Sequence, residues 1–310
     1  MKSVQYSEYG GIEVLKINEI DKPVLKEGQV LVEIKAAAIN PFDCKLRAGV
    51  MKDAIPLTFP VTIGADFAGI ISTEGNQSSE FKAGDEVYGS AIVLNGGSGA
   101  VAQYAAVNVA SLARKPGSLS FAQAAALVLV GVSAIQALDG LQLSAGQKIL
   151  IHGGAGGIGS VAIQYAKYLG AIVATTAMGQ DEDFVTELGA DTVINYEQQQ
   201  FEDVLSDYDA VYDTIGGDTY ANSFKILKRG GRIVSMVAPV NEELAQEHGV
   251  TATYQSTQVN TASLNRLTEV VDAGAIKSQV DSEFSLDQVA DAYKHLENGH
   301  PKGKIVITMV

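Results

Sequence analysis

The sequence predicts an α/β protein in two parts: a β-rich domain over 1–115 that 261–310 completes, and a doubly wound parallel-sheet domain over 116–260. Short apolar runs broken by Gly, Pro and Asp fill the first part, and apolar runs alternating with helical segments fill the second. A glycine-rich loop between one strand and one helix then marks the second part as a nucleotide-type sheet. The length of 310 residues suits two domains of roughly 150 each, and 46% hydrophobic residues with 32 Gly suit a compact chain with a sizeable core.

In the first part QVLVEIKAAAIN (29–40), FPVTIGADFAGII (59–71), DEVYGSAIV (85–93) and AVAQYAAV (100–107) read as strands. Val30, Val32 and Ile34 alternate with Leu31, Glu33 and Lys35, which predicts one buried face and an antiparallel sheet or barrel. Gly84 and Asp85 supply turn chemistry between two of these runs. After Lys115-Pro116-Gly117 the pattern changes. Ser120 and Gln123 have the spacing of a capping box, which opens an apolar helix over 121–138. Six strands follow: KILIH (148–152), IVATT (172–176), TVINY (192–196), AVYDT (210–214), RIVSM (232–236) and TATYQ (251–255). Helical spacing at 160–170, and room for crossovers between the other strands, predict helices on both faces of a parallel sheet. Past 260 come a helix near 261–273, a second capping box at Ser285 and Gln288 opening another helix, and KIVITMV as a final strand that returns to the first domain.

Lys+Arg 22 against Asp+Glu 36 leave a net charge of −14, the opposite of the surplus that drives binding to nucleic acid or to an anionic membrane surface. Neither partner is expected. The most apolar stretch, 122–138, is interrupted by Gln123, Ser133 and Gln136 and is shorter than the roughly 20 residues that span a bilayer, so it reads as a buried helix. Cys44 is the one cysteine, and the first residues lack the apolar run of a signal peptide; a cytoplasmic protein without disulfides is expected.

The sharpest local signal is KILIHGGAGGIGSVAIQYAKYLG, in which Gly154, Ala155, Gly156, Gly157, Ile158 and Gly159 fit G-x-G-x-x-G between an apolar strand and a helix. That context predicts a dinucleotide site. Gly154 is expected to permit the tight turn, Gly156 to let the backbone approach a pyrophosphate, and Gly159 to let helix and strand pack closely. The carboxylate that holds the 2′-hydroxyl of NAD is expected about 20 residues after the fingerprint opens. That count leads to Ala174, Thr175 and Thr176, which favours NADPH by default. Yet no Lys or Arg occurs between Lys167 and Lys225, and ten acidic residues fall between Asp181 and Asp209. The acidic stretch is either a solvated face or a reason for weak NADPH affinity or tolerance of NADH.

At this point the arrangement resembles the medium-chain dehydrogenase/reductase superfamily, in particular its zinc-free quinone oxidoreductase branch, which includes the zeta-crystallin-like proteins. The segments that carry the resemblance are 36–49, 59–69, 84–89, 119–138, 152–159, 189–196, 227–234 and 299–306, in that order and spacing. It implies a GroES-like catalytic domain beside a Rossmann coenzyme domain. In the zinc-dependent alcohol dehydrogenase branch the pattern has Cys where this chain has Asn40, and Gly-His-Glu where it has Gly64-Ala65-Asp66. One cysteine builds no structural zinc site, and the four histidines lack ligand spacing, so no metal is expected.

Without a Lewis acid, a reductase of this kind suits acceptors that are already electron-poor, quinones and α,β-unsaturated carbonyls, whose reduction spreads charge onto an oxygen. The resemblance implies Asn40 as an amide donor near nicotinamide and substrate, and Lys45 where many relatives carry Tyr. It also implies contacts to the coenzyme from Val130, Ser133, Tyr196, Thr214, Ile215, Gly216 and Val237, with Lys304 reaching the coenzyme as well; the count from the glycine loop adds Thr175 and Thr176. A solvated Lys45, a turn role for Asn40 and a strand-end role for Tyr196 are the plainer readings. Cys44 has no histidine beside it in sequence, which argues against a nucleophile. The alternatives are an enoyl-thioester reductase, which usually has Tyr near the Lys45 position, and a coenzyme-binding sensor without turnover. Relatives in the branch also suggest a homodimer formed through an edge strand, here TATYQ.

Overall fold

The computed structural model describes residues 1–75 and 80–309. Its N-terminal strands are β1 (Lys2–Tyr6), β2 (Lys16–Glu19), β3 (Gln29–Ala38), β4 (Val61–Thr62), β5 (Asp66–Thr73), β6 (Glu86–Ser90), β7 (Tyr104–Asn108) and β8 (Leu112–Arg114), with the short helix α1 (Pro41–Arg47) after β3. Helix α2 (Phe121–Leu141) follows. Then come β9 (Lys148–Ile151), α3 (Gly157–Tyr168), β10 (Ile172–Ala177), α4 (Glu182–Glu187), β11 (Thr192–Asn195), α5 (Phe201–Val204), β12 (Tyr208–Asp213), α6 (Gly217–Ser223), β13 (Leu227–Ser235), α7 (Glu242–His248) and β14 (Thr251–Tyr254). Helix α8 (Thr261–Asp272), β15 (Val280–Ser285), α9 (Val289–Asn298) and β16 (Lys304–Thr308) complete the chain.

The chain forms two compact units. The first comprises Met1–Leu129, Val259–Asp272 and Val280–Val310, and the second Val130–Gln258 and Ala273–Gln279. The expected boundaries at 115/116 and 260/261 therefore need correction. Pro116 marks the approach to α2 and not a domain edge: the first half of α2 stays with the first unit, where the Leu129 N–H donates to Asp66 Oδ2 at 3.3 Å. In the second unit the segment 273–279 returns through Gln164, whose side chain bonds the Lys277 N–H at 2.9 Å and the Lys277 carbonyl at 3.1 Å.

In the first unit a seven-stranded sheet runs β15-β16-β3-β5-β6-β8 with β7 also on β3, and a three-stranded sheet runs β2-β1-β4. The last strand does return, pairing antiparallel with β3 from Val306 opposite Ala38 to Thr308 opposite Ala36. The expected alternation in β3 holds at Val32 to Lys35, where Glu33 and Lys35 are half-buried; beyond it Ala36, Ala37 and Ala38 are all buried. Val4, Val32, Ile34, Phe67, Val87, Tyr293 and Ile305 are among the residues that fill this core. Gly84, with φ +92, makes the turn expected between β5 and β6.

The second unit is a six-stranded sheet in the order β11-β10-β9-β12-β13-β14, parallel at every pairing. That order is doubly wound: it starts in the middle at β9, proceeds outward to β11, and resumes on the other side at β12. All six strands point one way, so the loops after them gather at one edge, where ligands bind in such sheets. Helix α2 reaches Leu141, three residues beyond the expected end. Its length and composition suffice to cross a bilayer, yet 78% of its most apolar window is buried inside the protein.

Candidate active site

In the second unit the strand β9 delivers the chain into the glycine loop and α3. The tight turn expected at Gly154 occurs one residue earlier, at Gly153, where φ is +70. Gly154 is needed for a different reason: a Cβ there would lie 2.1 Å from Thr175 Oγ1. At Gly159 a Cβ would lie 2.2 Å from the Gly153 carbonyl and 2.7 Å from Gly154 Cα, so the first turn of α3 closes directly onto the loop. Gly156 is the N-cap residue of α3, and a Cβ on it would meet only the Gly153 carbonyl, at 3.4 Å. Gly156, Gly157 and Ile158 are half-buried, so the helix N-terminus keeps an open face, and a dinucleotide's pyrophosphate fits the N–H groups there.

The loop rests on a buried polar chain. Thr175 Oγ1 donates to the Ile151 carbonyl at 2.7 Å, and Thr176 Oγ1 accepts from the Gly153 N–H at 3.1 Å. Both threonines are buried and their hydroxyls serve the loop from beneath. They are thus not the residues presented at the end of β10; that position falls to Met178, Gly179 and Gln180. His152 is fully buried between Thr176 Oγ1, 3.2 Å from Nδ1, and Ser223 Oγ, 2.9 Å from Nε2. Ser223 Oγ donates to the Thr219 carbonyl at 2.7 Å, so it accepts from Nε2–H, and Nδ1 is left to accept from Thr176. Burial pushes the imidazole down to about 4, which keeps this neutral tautomer in place.

The loops after β12 and β13 are organised by Asp213, which the sequence reading missed. Its Oδ1 accepts from the Ile215 N–H at 3.0 Å and the Gly216 N–H at 2.9 Å. Its Oδ2 accepts from Ser235 Oγ at 2.7 Å, and Ser235 Oγ accepts in turn from Ala238 N–H at 2.9 Å. Thr214 Oγ1 donates to the His152 carbonyl at 2.9 Å, and Gly216, with φ +81, lies against Val237. Ile215 and Val237 are exposed, as is Tyr196 after β11. Thr214, Ile215, Gly216, Val237 and the glycine loop thus share one edge of the sheet. Val130 and Ser133, in the second half of α2, are buried, and Ser133 Oγ is bonded to Thr257 Oγ1 at 2.8 Å.

In the first unit Asn40 caps α1, where Asp43 Oδ2 accepts from its backbone N–H at 2.8 Å. Its carboxamide is fixed from both ends: Nδ2 donates to Asp66 Oδ2 at 2.8 Å and Oδ1 accepts from Lys304 Nζ at 2.6 Å. Lys304 Nζ also donates to the Ile39 carbonyl. All four side chains are buried. Burial raises the Asp66 carboxyl to about 6, against the pull of Lys304, and raises Asp43 to about 7, with Asp66 adding to the rise. Burial in turn lowers the Lys304 ammonium, opposed by the two carboxylates. Lys304 is therefore an internal partner of Asn40. Lys45 is on the exposed face of α1, and burial with Glu297 pushes the Cys44 thiol up to about 12, the opposite of a nucleophile.

The same cluster bears on zinc. Asn40 stands where the alcohol dehydrogenase pattern has Cys, Ala65-Asp66 stand where it has His-Glu, and Lys304 places a cation on Asn40 Oδ1. One carboxylate and one amide already bonded to an ammonium do not fit a zinc ion. Among the described residues no three His, Cys, Asp or Glu side chains gather as a ligand set.

Comparison with known proteins decides the family. The alcohol dehydrogenase GroES-like domain family matches residues 26–117, and a family described as zinc-binding dehydrogenase matches 188–307. A 2-methylene-furan-3-one reductase from Solanum lycopersicum is 39% identical over 99% of this chain and 79% of its own length. The chain belongs to the zinc-free quinone oxidoreductase branch of the medium-chain dehydrogenase/reductase superfamily. It is an oxidoreductase with a GroES-like unit and a Rossmann unit. An Arabidopsis thaliana NADPH-dependent alkenal/one oxidoreductase is 38% identical over 99% of the chain and 79% of its own length. Among solved structures, a quinone oxidoreductase from Coxiella burnetii superposes with a TM-score of 0.91 at 32% identity, covering 100% of this chain and 99% of that one. The Escherichia coli quinone oxidoreductase complexed with NADPH gives 0.90 at 28% identity over 100% of both chains.

Proposed function

We propose that this protein is an NADPH-dependent reductase of α,β-unsaturated carbonyls and quinones that works without a metal. The observation that carries the reading is the open glycine loop on the ligand-binding edge of a doubly wound sheet, in a chain whose Asn40 amide is bonded to the Lys304 ammonium at one end and to Asp66 at the other. When bound, the coenzyme supplies a hydride. The glycine loop with the N-terminus of α3 would hold its pyrophosphate, and Thr214 to Gly216, Val237 and Tyr196 would line its path.

The protein's own task is to stabilise the oxygen on which charge develops and to deliver a proton. Asn40 suits the first: one Nδ2 hydrogen and Oδ1 are engaged by Asp66 and Lys304, so the amide has a fixed orientation and a second N–H to give. Asp43 and Asp66, raised into the range of neutral pH, can hold protons beside it.

An enone is favoured over a quinone as the natural acceptor. The tomato and Arabidopsis enone reductases are 39% and 38% identical, whereas the human quinone oxidoreductase is 30% identical. Steady-state oxidation of NADPH against a panel of alkenals, enones and quinones tests this reading. Turnover is expected with both classes and a higher kcat/KM with enones; coenzyme binding without turnover of any acceptor favours the sensor alternative and overturns it. Among the described residues β14 ends the strand order of its sheet, which supports a homodimer through that strand; the charge of −14 supports a protein without nucleic-acid or membrane partners, and a lone cysteine suits the cytoplasm.

A further inference from the structure

We propose that the end of β10 does not read a 2′-phosphate, so that NADH binds within tenfold of NADPH; the inference rests on the coenzyme reading above and deepens it. The Lys and Arg residues of the second unit are Lys148, Lys167, Lys225, Lys228, Arg229, Arg232 and Lys277. Lys148 opens β9, and Lys167 pairs with Asp191 just before β11, at 2.8 Å. Lys225 precedes β13, Lys228 pairs with Asp209 near the start of β12, and Arg229 lies against Gly249 ahead of β14. Arg232 donates to the Leu141 carbonyl at 3.0 Å, and its neighbour across the sheet is Thr251, the first residue of β14.

The sheet is parallel throughout, so these six cations share the edge where strands begin. The coenzyme-binding edge is where strands end. A six-residue strand spans roughly 15–20 Å at about 3.3 Å per residue, twice the screening length of about 8 Å at physiological salt. Lys277, the seventh, is beside Gln164 in the body of α3.

The ribose end of a dinucleotide is read where the second strand of the sheet stops. Here β10 stops at Ala177 and the turn continues as Met178, Gly179, Gln180 and Asp181 into the acidic first turn of α4. A Cβ on Gly179 would lie 2.6 Å from Asn195 Nδ2, so this turn packs closely against the end of β11. Tyr196 follows Asn195, and its phenol is held above its usual range by partial burial and by the negative charge of Glu197 and Asp181. The groups at the ribose end are therefore amides, a phenol and carboxylates. They suit hydroxyls and repel a dianion, while NADPH still gains everything the glycine loop offers.

The test is a titration of the purified protein with NADPH and with NADH, read by coenzyme fluorescence, independent of turnover, at low and physiological salt. The expected result is a ratio of Kd values below tenfold, with no loss of NADPH affinity relative to NADH as salt rises, since salt screens the repulsion. A preference for NADPH above tenfold that falls as salt rises overturns the proposal, because a cation would then be reading the phosphate. If neither coenzyme binds, the coenzyme reading beneath it fails as well. A Gln180→Arg variant supplies the missing cation on an exposed side chain. NADPH is expected to bind at least fivefold tighter to it and NADH less than twofold differently; no change in NADPH binding, or an equal gain for both, overturns the placement of the ribose at this turn.

Discussion

Ser235 Oγ donates to Asp213 Oδ2 at 2.7 Å, and through this bond one buried carboxylate shapes two loops at once. Asp213 holds the Ile215 and Gly216 N–H groups, and Ser235 holds the loop after β13 at Ala238. A Ser235→Ala variant loses a charge-assisted bond and leaves Asp213 short of a donor, at a cost of about 2–3 kcal/mol by urea unfolding. Coenzyme affinity should fall as well, by about tenfold for roughly 1.4 kcal/mol of lost loop order. A variant that is destabilised but binds coenzyme within twofold of the parent would show that the pair supports the sheet alone.

Gly156 and Gly159, three residues apart, serve different ends. Gly159→Ala drives a Cβ into the backbone of Gly153 and Gly154, so it should destabilise the fold by about 1–3 kcal/mol, as overpacking does. Gly156→Ala meets nothing closer than 3.4 Å and should fold normally, yet its methyl group occupies the approach to the pyrophosphate. Thermal unfolding and coenzyme titration on both variants separate the two roles. Equal loss of stability in both would contradict the assignment.

Lys304 is the cation of a buried cluster with Asn40 and Asp66. Replacing it by Met should cost about 3 kcal/mol, the lower end for breaking a buried pair, because Asp66 can take up a proton in compensation. In that variant Asp66 stays protonated in the folded chain at pH values where the unfolded chain has ionised it. The native state then binds more protons, and stability falls as pH rises from about 5 to 8. Urea midpoints across this range check the sign. Adding Asp66→Asn should flatten the slope to what Asp43 alone contributes; additive costs in the double variant would mean that the two side chains do not interact.

His152 titrates in the opposite sense. Its folded value is down to about 4 against 6.5 for a free imidazole, so between these values the unfolded chain binds more protons and stability is lost as pH falls. The loss between pH 7 and 5 amounts to about 2 kcal/mol, at 1.36 kcal/mol for each unit. A His152→Gln variant keeps a donor and an acceptor but does not titrate there. The stability difference between pH 7 and pH 5 should therefore be about 2 kcal/mol smaller in the variant than in the parent, since the carboxyls of Asp43 and Asp66 act alike in both. The same difference in the two proteins would count against a neutral, buried imidazole.

Much of the architecture was legible because it is written in local patterns. The glycine loop between KILI and an amphipathic helix, the capping spacing of Ser285 and Gln288, and the order of strands and helices are short-range features, and each fixes backbone geometry by itself. The domain edge was misread at Pro116 because a change of local pattern marks where α2 begins, while membership of a unit depends on contacts such as that of Leu129 with Asp66. Thr175 and Thr176 were found by counting along the chain, but counting does not say which way a side chain points. Asp213 left no local trace: VYDTIG reads as a strand end, and its role appears only when β13 brings Ser235 alongside.

The sequence alone determined the fold class, the location of the coenzyme loop and the family, since periodicity, glycine spacing and ordered segments survive without any knowledge of distant contacts. Tertiary structure decided the electrostatics. It put Lys304 on Asn40, 264 residues away in the chain, and made an ion cluster of positions that read as separate motifs. It also set six of the seven Lys and Arg side chains of the second unit at the edge where the strands begin, because each lies near a strand start and all six strands point the same way. The interaction of charges depends on distance in space and on burial, and neither is encoded in the residues that bear them.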